Sequence, residues 1–156
     1  MTIRRAEARD AGTLGRLGAA LMRTHYAFDA QRFLEPGEDA ESGYAEFLVS
    51  RLDDRESIVL VAEHAGHIVG YVYAAIEPLS WKELRDRCGY IHDLLVTDEA
   101  RRTGVGDALL TQAIDWLRQQ GMPRVVLGTA AQNENARRLF ERRGFRATMI
   151  EMTLEL

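Results

Sequence analysis

The stretch from residue 89 to residue 130 restricts the fold more than any other part of the sequence. It contains an apolar segment (GYIHDLLV, 89–96), a polar loop with two glycines, a helical pattern of apolar residues, and a second apolar segment (RVVLGTA, 124–130). Gly121 and the proline that follows it are typical of a helix end. A strand, a helix and a second strand in this order predict two parallel strands joined by a right-handed crossover.

The segments before this crossover predict an antiparallel hairpin. SIVLVAEH (57–64) and HIVGYVYAAIE (67–77) are rich in β-branched and apolar residues, and the Ala-Gly dipeptide between them is typical of a tight turn. Other helices are predicted from an Asp10 cap to about residue 24, over 40–52 with Tyr44, Phe47 and Leu48 inward, and over 134–142. A first strand is predicted at 2–6, a short helix or irregular insertion at 79–87, and a final half-buried strand in which Ile150, Met152, Leu154 and Leu156 alternate with polar residues.

These elements predict an α/β fold with a mixed, mostly antiparallel sheet and helices on both faces. The chain of 156 residues is long enough for one substantial core, and it shows no repeat and no linker rich in proline, glycine or serine. We therefore predict a single domain over residues 1–156.

Composition excludes several classes of function. The formal net charge of −4 argues against general binding of nucleic acid or of an anionic membrane, and no apolar run approaches the ~20 residues that cross a bilayer. The single cysteine, Cys88, forms no intrachain disulfide, so a reducing cytoplasm is the expected location. Cys88 and His92 have no second ligand pair at zinc spacing, so no metal site is expected.

The loop RRTGVG, residues 101–106, has the properties of an anion site. It precedes a helix, whose first N–H groups are unpaired and carry partial positive charge, and its glycines keep side chains away from them. A tight turn alone would also explain the glycines. Two known phosphate loops are excluded, because a dinucleotide fingerprint needs glycine where Leu109 stands and a P-loop needs Gly-Lys-Ser/Thr.

Two motifs resemble those of the GCN5-related N-acetyltransferase (GNAT) superfamily. The R-x-x-G-x-G pattern at 101–106, after the strand D-L-L-V, is similar to that family's pyrophosphate loop, and NENARRLFERRGF at 133–145 is similar to its second signature. The resemblance implies a sheet with a splayed parallel strand pair and acetyl-CoA as co-substrate. It also implies direct transfer of an acetyl group to a primary amine in a ternary complex.

The same resemblance assigns the residues that would hold acetyl-CoA. Backbone groups of Leu94, Leu95 and Val96 would bind the pantetheine arm as an added strand does. Asn133 would contact the cofactor or, alternatively, cap the following helix. The diphosphate would lie on the main-chain amides of Arg102, Thr103, Gly104, Val105 and Gly106, with Arg101 at the family's Gln/Arg position.

Catalysis needs a base for the amine and a donor for the thioester oxygen. His92 is the first candidate base, and Asp93, expected on the opposite face of the same strand, is a weaker candidate together with Glu63 and Glu77, any of which could act through a water. The amide of Leu95 is the candidate oxyanion donor. Relatives carry tyrosine where Phe140 stands, so protonation of the leaving thiolate would fall to Tyr90, Tyr73 or water.

The acceptor and the assembly are less constrained by the sequence. Acidic LEPGEDAESG (34–43) and LDDRE (52–56), with Tyr26 and Phe28 nearby, suit a small cationic amine such as a diamine, polyamine or aminoglycoside, although they equally describe a solvated surface. A protein lysine or an N-terminal amine is an alternative acceptor, and Phe140 leaves open a non-catalytic module that binds acetyl-CoA. The final strand would offer an edge for a homodimer.

Overall fold

The computed structural model describes residues 1–156 and contains five strands and four α-helices. In chain order they are β1 (Thr2–Arg5), α1 (Ala11–Phe28), α2 (Ala40–Ser50), β2 (Ser57–His64), β3 (His67–Glu77), β4 (Cys88–Val96), α3 (Val105–Gln119), β5 (Val125–Leu127) and α4 (Glu134–Arg142). Short 3₁₀ turns precede α1 and α3. The predicted hairpin is confirmed, because β2 and β3 have the predicted bounds.

The strands form one sheet in the order β1-β2-β3-β4-β5. The pairs β1–β2, β2–β3 and β3–β4 are antiparallel. The pair β4–β5 is parallel over three residue pairs, from Gly89↔Val125 to Ile91↔Leu127. The mixed, mostly antiparallel sheet and the parallel pair joined through α3 are therefore confirmed.

Each face of the sheet is covered by helices because the strands present apolar residues on both sides. Ile58 and Leu60 of β2 pack with α3 and with Phe140 of α4, in one hydrophobic cluster. Val59 and Val61 point the other way and pack against α1 and α2 in a second cluster. We call these the α3 face and the α1 face.

Helices α1 and α2 differ from the predictions in length and in contacts. α1 continues to Phe28, about one turn beyond the predicted end. Asp10 stands at its N-cap position, but its carboxylate instead accepts hydrogen bonds from the Glu7 amide (2.8 Å) and from Arg4 (2.8 and 3.0 Å). In α2, Leu48 is buried as predicted, whereas Phe47 remains 45% exposed.

The end of the chain differs most from the prediction. β5 spans three residues rather than the predicted seven, and no final strand forms. Residues 146–156 are all exposed and make no backbone–backbone hydrogen bond. The predicted insertion at 79–87 is irregular, with one isolated bridge between Ser80 and Arg85. None of the helices has the length and apolar character needed to span a membrane.

Candidate active site

A β-bulge at His92 shapes the centre of the sheet. On β3, Tyr73 and Ala74 are consecutive, but their partners on β4 are Asp93 and Ile91, so His92 is an extra residue without a partner. A bulge of this kind bends a strand and increases its twist. The pairing of β4 with β5 ends at Ile91, and the two strands separate beyond it. The splayed pair is therefore present.

An open cleft lies where β4 and β5 separate. It is bounded by both strands together with α1 and α4. The residues that line it are Leu21, His25, Ile91, His92, Asp93, Leu94, Leu127, Gly128, Thr129, Asn133, Ala136 and Phe140. Both candidate bases therefore reach the cleft, as does Asn133.

The bulge also changes which face receives the candidate bases. Asp93 is paired with Tyr73, a residue of the α1 face, and the His92 ring stacks on that same tyrosine. The expectation that His92 and Asp93 lie on opposite faces of the strand is therefore wrong. The extra residue interrupts the alternation of side chains, so two consecutive residues reach one face.

His92 is held by two aromatic rings and a carboxylate. Its imidazole stacks between Tyr73 and Tyr90, with centroid distances of 4.9 and 4.6 Å, and its Nε2 lies 2.6 Å from Oε1 of Glu77. The side chain is still 32% exposed. If the Glu77 carboxylate accepts a hydrogen from Nε2, Nδ1 of the neutral ring keeps its lone pair. This arrangement suits a general base that is oriented by a neighbouring acid.

Asp93 is engaged with two tyrosine hydroxyl groups. Tyr44 on α2 and Tyr71 on β3 each donate to Oδ2 of Asp93 at 2.9 Å. Burial raises the pKa of Asp93, although both hydrogen bonds oppose the shift. Burial also raises the pKa of both tyrosines, so they remain protonated donors. Asp93 therefore ties α2 to the sheet, which leaves His92 as the freer of the two candidate bases.

The raised pKa of Asp93 predicts a pH-dependent difference in stability. The folded protein binds a proton at Asp93 more tightly than the unfolded chain does, so this stabilisation is present below about pH 3.9, the ordinary value, and is lost as pH rises through the raised pKa. Asp93→Asn has no charge to bury. Its free energy of unfolding relative to wild type will therefore increase between about pH 4 and pH 7. Urea unfolding at several pH values measures this, and a flat or falling difference would contradict it.

The amides of β4 alternate between β3 and the cleft. The Thr97 N–H donates to the Val69 carbonyl at 2.9 Å and therefore points to β3. Pairing between β3 and β4 is regular after the bulge, so the Leu95 amide also points to β3. The amides of Leu94 and Val96 point the other way, toward the side on which β5 has separated.

The amino end of α3 presents a row of free amides. None of the N–H groups of residues 102–107 donates to a backbone carbonyl. Gly104 has φ +88°, and a Cβ placed there would meet nothing within 4 Å, so the space in front of the helix is open. Such a helix end binds anions through its amides and its dipole. We call residues 102–107 the amide cradle.

Charged side chains beside the amide cradle are mostly paired. Arg101 contacts Asp98 at 2.8 Å, and Arg102 is exposed. Asp107 lies in the first turn of α3, where it receives two hydrogen bonds from Arg143, which hold the pKa of its carboxyl below the usual value. This pairing offsets the one carboxylate that would otherwise repel an anion from the cradle.

Two residues of the second motif have defined structural roles. The Asn133 Oδ1 accepts the Ala136 amide at 3.2 Å, so Asn133 does cap α4 while it also lines the cleft. Phe140 is buried and packs edge to face on Phe145, with ring centroids 5.8 Å apart. It brings an apolar surface and no proton to the cleft.

The structure also limits the other candidates. Burial raises the pKa of Tyr73 and Tyr90, and neither lines the cleft, although the Tyr90 hydroxyl lies close to Gly128 of its wall. Glu63 is paired with Arg4 near the β1 edge of the sheet, away from the cleft between β4 and β5. In the acidic stretch 52–56, Asp54 accepts hydrogen bonds from the Glu56 amide and the Ser57 hydroxyl, so it serves a turn.

Sequence reasoning missed the contribution of α1 to the cleft. Leu21 and His25 both line it, and His25 Nδ1 lies 2.8 Å from the Leu21 carbonyl. The predicted helix ended at about residue 24, so His25 fell in a loop. Two features of the sequence could have indicated that the helix continues through His25: its position four residues after Leu21, and the aromatic residues that follow it.

Comparisons with known proteins agree with this geometry. The acetyltransferase (GNAT) family matches residues 20–145. The uncharacterized N-acetyltransferase YhfO of Bacillus subtilis (strain 168) is 33% identical over 147 residues, which cover 93% of this chain and 89% of that protein.

Solved structures share the fold over the whole chain. A tetramutant of the BH1408 protein from Bacillus halodurans superposes with a TM-score of 0.84 at 23% identity, covering 100% of both chains. The predicted acetyltransferase from Clostridium acetobutylicum, solved with acetyl-CoA, has a TM-score of 0.71 at 18% identity and covers 99% of this chain and 95% of its own. At these identities the likeness concerns the fold.

Proposed function

Because this chain belongs to the acetyltransferase (GNAT) family, we propose that it transfers the acetyl group of acetyl-CoA directly to a primary amine in a ternary complex. The observation that carries the proposal is the cleft between the separated strands, with His92 beside it and the free amides of the cradle after the end of β4. A cytoplasmic location is part of the proposal, and the single buried thiol of Cys88 suits it.

The cofactor would lie along β4. Its diphosphate would accept hydrogen bonds from the amide cradle, with Arg101 and Arg102 as nearby cations. The pantetheine arm would then follow β4 back toward the bulge, where its amides meet backbone groups that β5 has left unpaired. The thioester would enter the cleft near His92. Asn133 would contribute here only if it gave up its cap on α4.

Leu94 replaces Leu95 as our candidate oxyanion donor. The Leu95 amide points to β3, where it is needed by the sheet, whereas the Leu94 amide points to the cleft and the residue lines it. A preorganised N–H at this position would stabilise charge on the thioester oxygen as the amine attacks. The Val96 amide, two residues further, would hydrogen bond the pantetheine arm. Leu95 instead contributes a side chain buried on the α1 face.

His92 is the proposed general base, with Glu77 as its positioning residue. Nδ1 of His92 would take a proton from the acceptor ammonium, directly or through a water, and the resulting amine would attack the thioester carbon. The attacking nitrogen then releases its second proton to solvent and the C–S bond breaks, so that the amide forms and CoA leaves as the thiolate, which takes a proton from solvent. The Glu77 carboxylate stabilises the imidazolium formed in between.

The carboxylates near the cleft favour a cationic acceptor. Glu77 and Asp93 both lie on the α1 face, and His92 between the two tyrosine rings forms an aromatic surface beside them. An ammonium group gains from carboxylates and from aromatic faces. We therefore propose a small cationic amine, such as a diamine, polyamine or aminoglycoside, as acceptor. The acidic stretch 34–43 leads into α2 and would add to this charge.

Thiol release from acetyl-CoA across a panel of amines tests the proposal. We expect turnover that depends on the amine, highest for small diamines or polyamines. Peptides with a lysine or a free N-terminus complete the panel, and faster turnover on them would move the acceptor to proteins. CoA binding with no turnover on any amine would overturn the proposed reaction and favour a binding module.

A variant at Phe140 tests whether a general acid is missing. Thiols with an ordinary pKa near ~8.5 leave tolerably well as thiolates, so Phe140→Tyr should raise the rate of thiol release by less than about tenfold. The measurement is kcat with the best amine of the panel. A rise of about 100-fold or more would show that protonation of the thiolate limits the wild-type enzyme.

A further inference from the structure

The cleft has one acidic side chain in its lining and no lysine or arginine. Asp93 is the only aspartate or glutamate among the residues that line it. The side chain is half-buried, and burial disfavours the charged carboxylate and raises the pKa of Asp93. Because charges in such places are normally paired, this carboxylate calls for a cation that the lining of the cleft does not supply.

The two oxygens of Asp93 have different surroundings. Oδ2 accepts both tyrosine hydroxyl groups, those of Tyr44 and Tyr71, at 2.9 Å each, whereas Oδ1 accepts no hydrogen bond from the protein. The only fully enclosed side-chain polar atom without a partner is Nε of Arg85, so Oδ1 of Asp93 is open to solvent. Since Asp93 lines the cleft, this oxygen is available to a molecule that enters there.

His25 presents a second free acceptor atom in the same cleft. Its Nδ1 lies 2.8 Å from the carbonyl oxygen of Leu21, which can only accept, so Nδ1 carries the hydrogen. Nε2 of the neutral ring therefore keeps its lone pair. The rings of Phe28 and Phe33 pack edge to face against the imidazole, with centroids 5.9 and 5.1 Å away, and hold its orientation.

These two acceptor atoms and the proposed base belong to one compartment. His25 and Asp93 both line the cleft, and His25 lies near enough to act on the charge of Asp93. The bulge places Asp93 directly after His92 on the α1 face. A cation held at Asp93 is therefore close to an amine held at His92.

An alkylammonium group suits Oδ1 of Asp93 and Nε2 of His25 together. It carries a positive charge and three N–H donors, so one N–H can reach each atom. A hydroxyl group has one donor and no charge, and it would leave the carboxylate uncompensated. The reacting nitrogen is not this group, because it must lose its charge before it attacks, whereas a neighbouring carboxylate keeps an ammonium charged.

We propose that Oδ1 of Asp93 and Nε2 of His25 bind a second ammonium group of the acceptor, so that a short diamine or polyamine is preferred over a monoamine. We call these two atoms the ammonium site. The ammonium site rests on the proposed function, because it assumes that the acceptor enters this cleft. Asp93 then acts through both oxygens, since Oδ2 holds α2 to the sheet and Oδ1 holds the substrate.

Diaminobutane and butylamine differ by one terminal amine and therefore test the ammonium site. A hydrogen bond to a charged group contributes about 10- to 100-fold, so wild-type kcat/KM should favour the diamine by about that factor. Asp93→Asn should bring the two values within about threefold of each other, mainly by raising KM for the diamine. Loss of the α2 contact alone would instead lower both values equally and keep their ratio.

Two further variants complete the kinetic test. His25→Leu should lower the ratio by about 3- to 10-fold, because one hydrogen bond is lost and the charge of Asp93 stays. It leaves the contact between Asp93 and Tyr44 in place, so it gives the same comparison if Asp93→Asn does not fold. Asp115→Asn is the matched control, since it makes the same substitution on α3, on the other face of the sheet, and should keep the wild-type ratio.

Calorimetric titration of the CoA-bound protein with the same two amines separates the ammonium site from the reaction. The diamine should bind at least about tenfold more tightly than butylamine, and Asp93→Asn should remove this preference. Absence of turnover on any amine would overturn the proposed reaction, while the binding preference would still decide the ammonium site. Equal affinity of wild type for both amines, or a preference that survives in Asp93→Asn and His25→Leu, would overturn the ammonium site.

Discussion

Gly104→Glu will weaken the binding of CoA by about 100- to 1,000-fold. The new carboxylate would stand in front of the amide cradle, where the space is open and where the diphosphate is proposed to bind. Two like charges about 4 Å apart near a protein surface repel by about 4 kcal/mol, and every 1.4 kcal/mol is about tenfold in affinity. Titration calorimetry with CoA at low and high salt measures the loss, which should shrink as salt screens the charges.

Gly66→Glu is the matched control for this loss. Gly66 lies in the β2–β3 turn with φ +79°, close to the +88° of Gly104, and a Cβ there also meets nothing within 4 Å. Both variants therefore add the same charge and a similar backbone strain, but only Gly104 is at the cradle. An unchanged CoA affinity for Gly104→Glu, or an equal loss for both variants, would exclude the cradle as the diphosphate site.

His92→Ala will lower amine-dependent kcat by about 10²- to 10⁴-fold, the range typical of a lost general base. The affinity for CoA should hardly change, because His92 is remote from the amide cradle along β4. Added imidazole, which fits the space left between Tyr73 and Tyr90, should restore part of the rate.

His64→Ala and Glu77→Gln separate the proposed base from its surroundings. His64 is exposed at the end of β2, so its removal should leave the rate unchanged. Glu77→Gln keeps a hydrogen-bond partner for His92 but removes the charge, and it should shift the pH profile with a smaller loss of rate. A wild-type rate and pH profile for His92→Ala would refute our choice of base.

The features that depend on a local pattern of residues could be predicted from the sequence. The hairpin bounds follow from β-branched runs around a turn, and α3 follows from apolar spacing and a glycine stop. The glycine loop and the second motif together indicated the family, the fold and the acetyl-CoA co-substrate, which the family match and the solved relatives support. Each of these signals lies within a short stretch of chain.

The remaining features depend on partners that are distant in the sequence. The alternation of Ile150, Met152 and Leu154 predicted a final strand and was wrong, because a strand forms only where another strand pairs with it, and the alternation carries no information on that pairing. The bulge arises from the way in which β4 pairs with β3. The sequence therefore could not predict that His92 and Asp93 share a face, nor that the Leu95 amide points to β3. His25 reached the cleft because α1 packs across the sheet and continues for another turn.

Because His92 has no partner on β3, two consecutive residues of β4 face the α1 side of the sheet, while the residues before and after them face the α3 side. Positions 92 and 93 both serve the compartment where the acceptor is proposed to enter, while their neighbours Ile91 and Leu94 contribute to the opposite core. Under the proposed function, substitutions at these two adjacent positions would act on the acceptor compartment, while the packing beneath α3 stays as it is. On a regular strand these two side chains would lie on opposite faces of the sheet. A design that transfers them to another protein must therefore include the bulge as well.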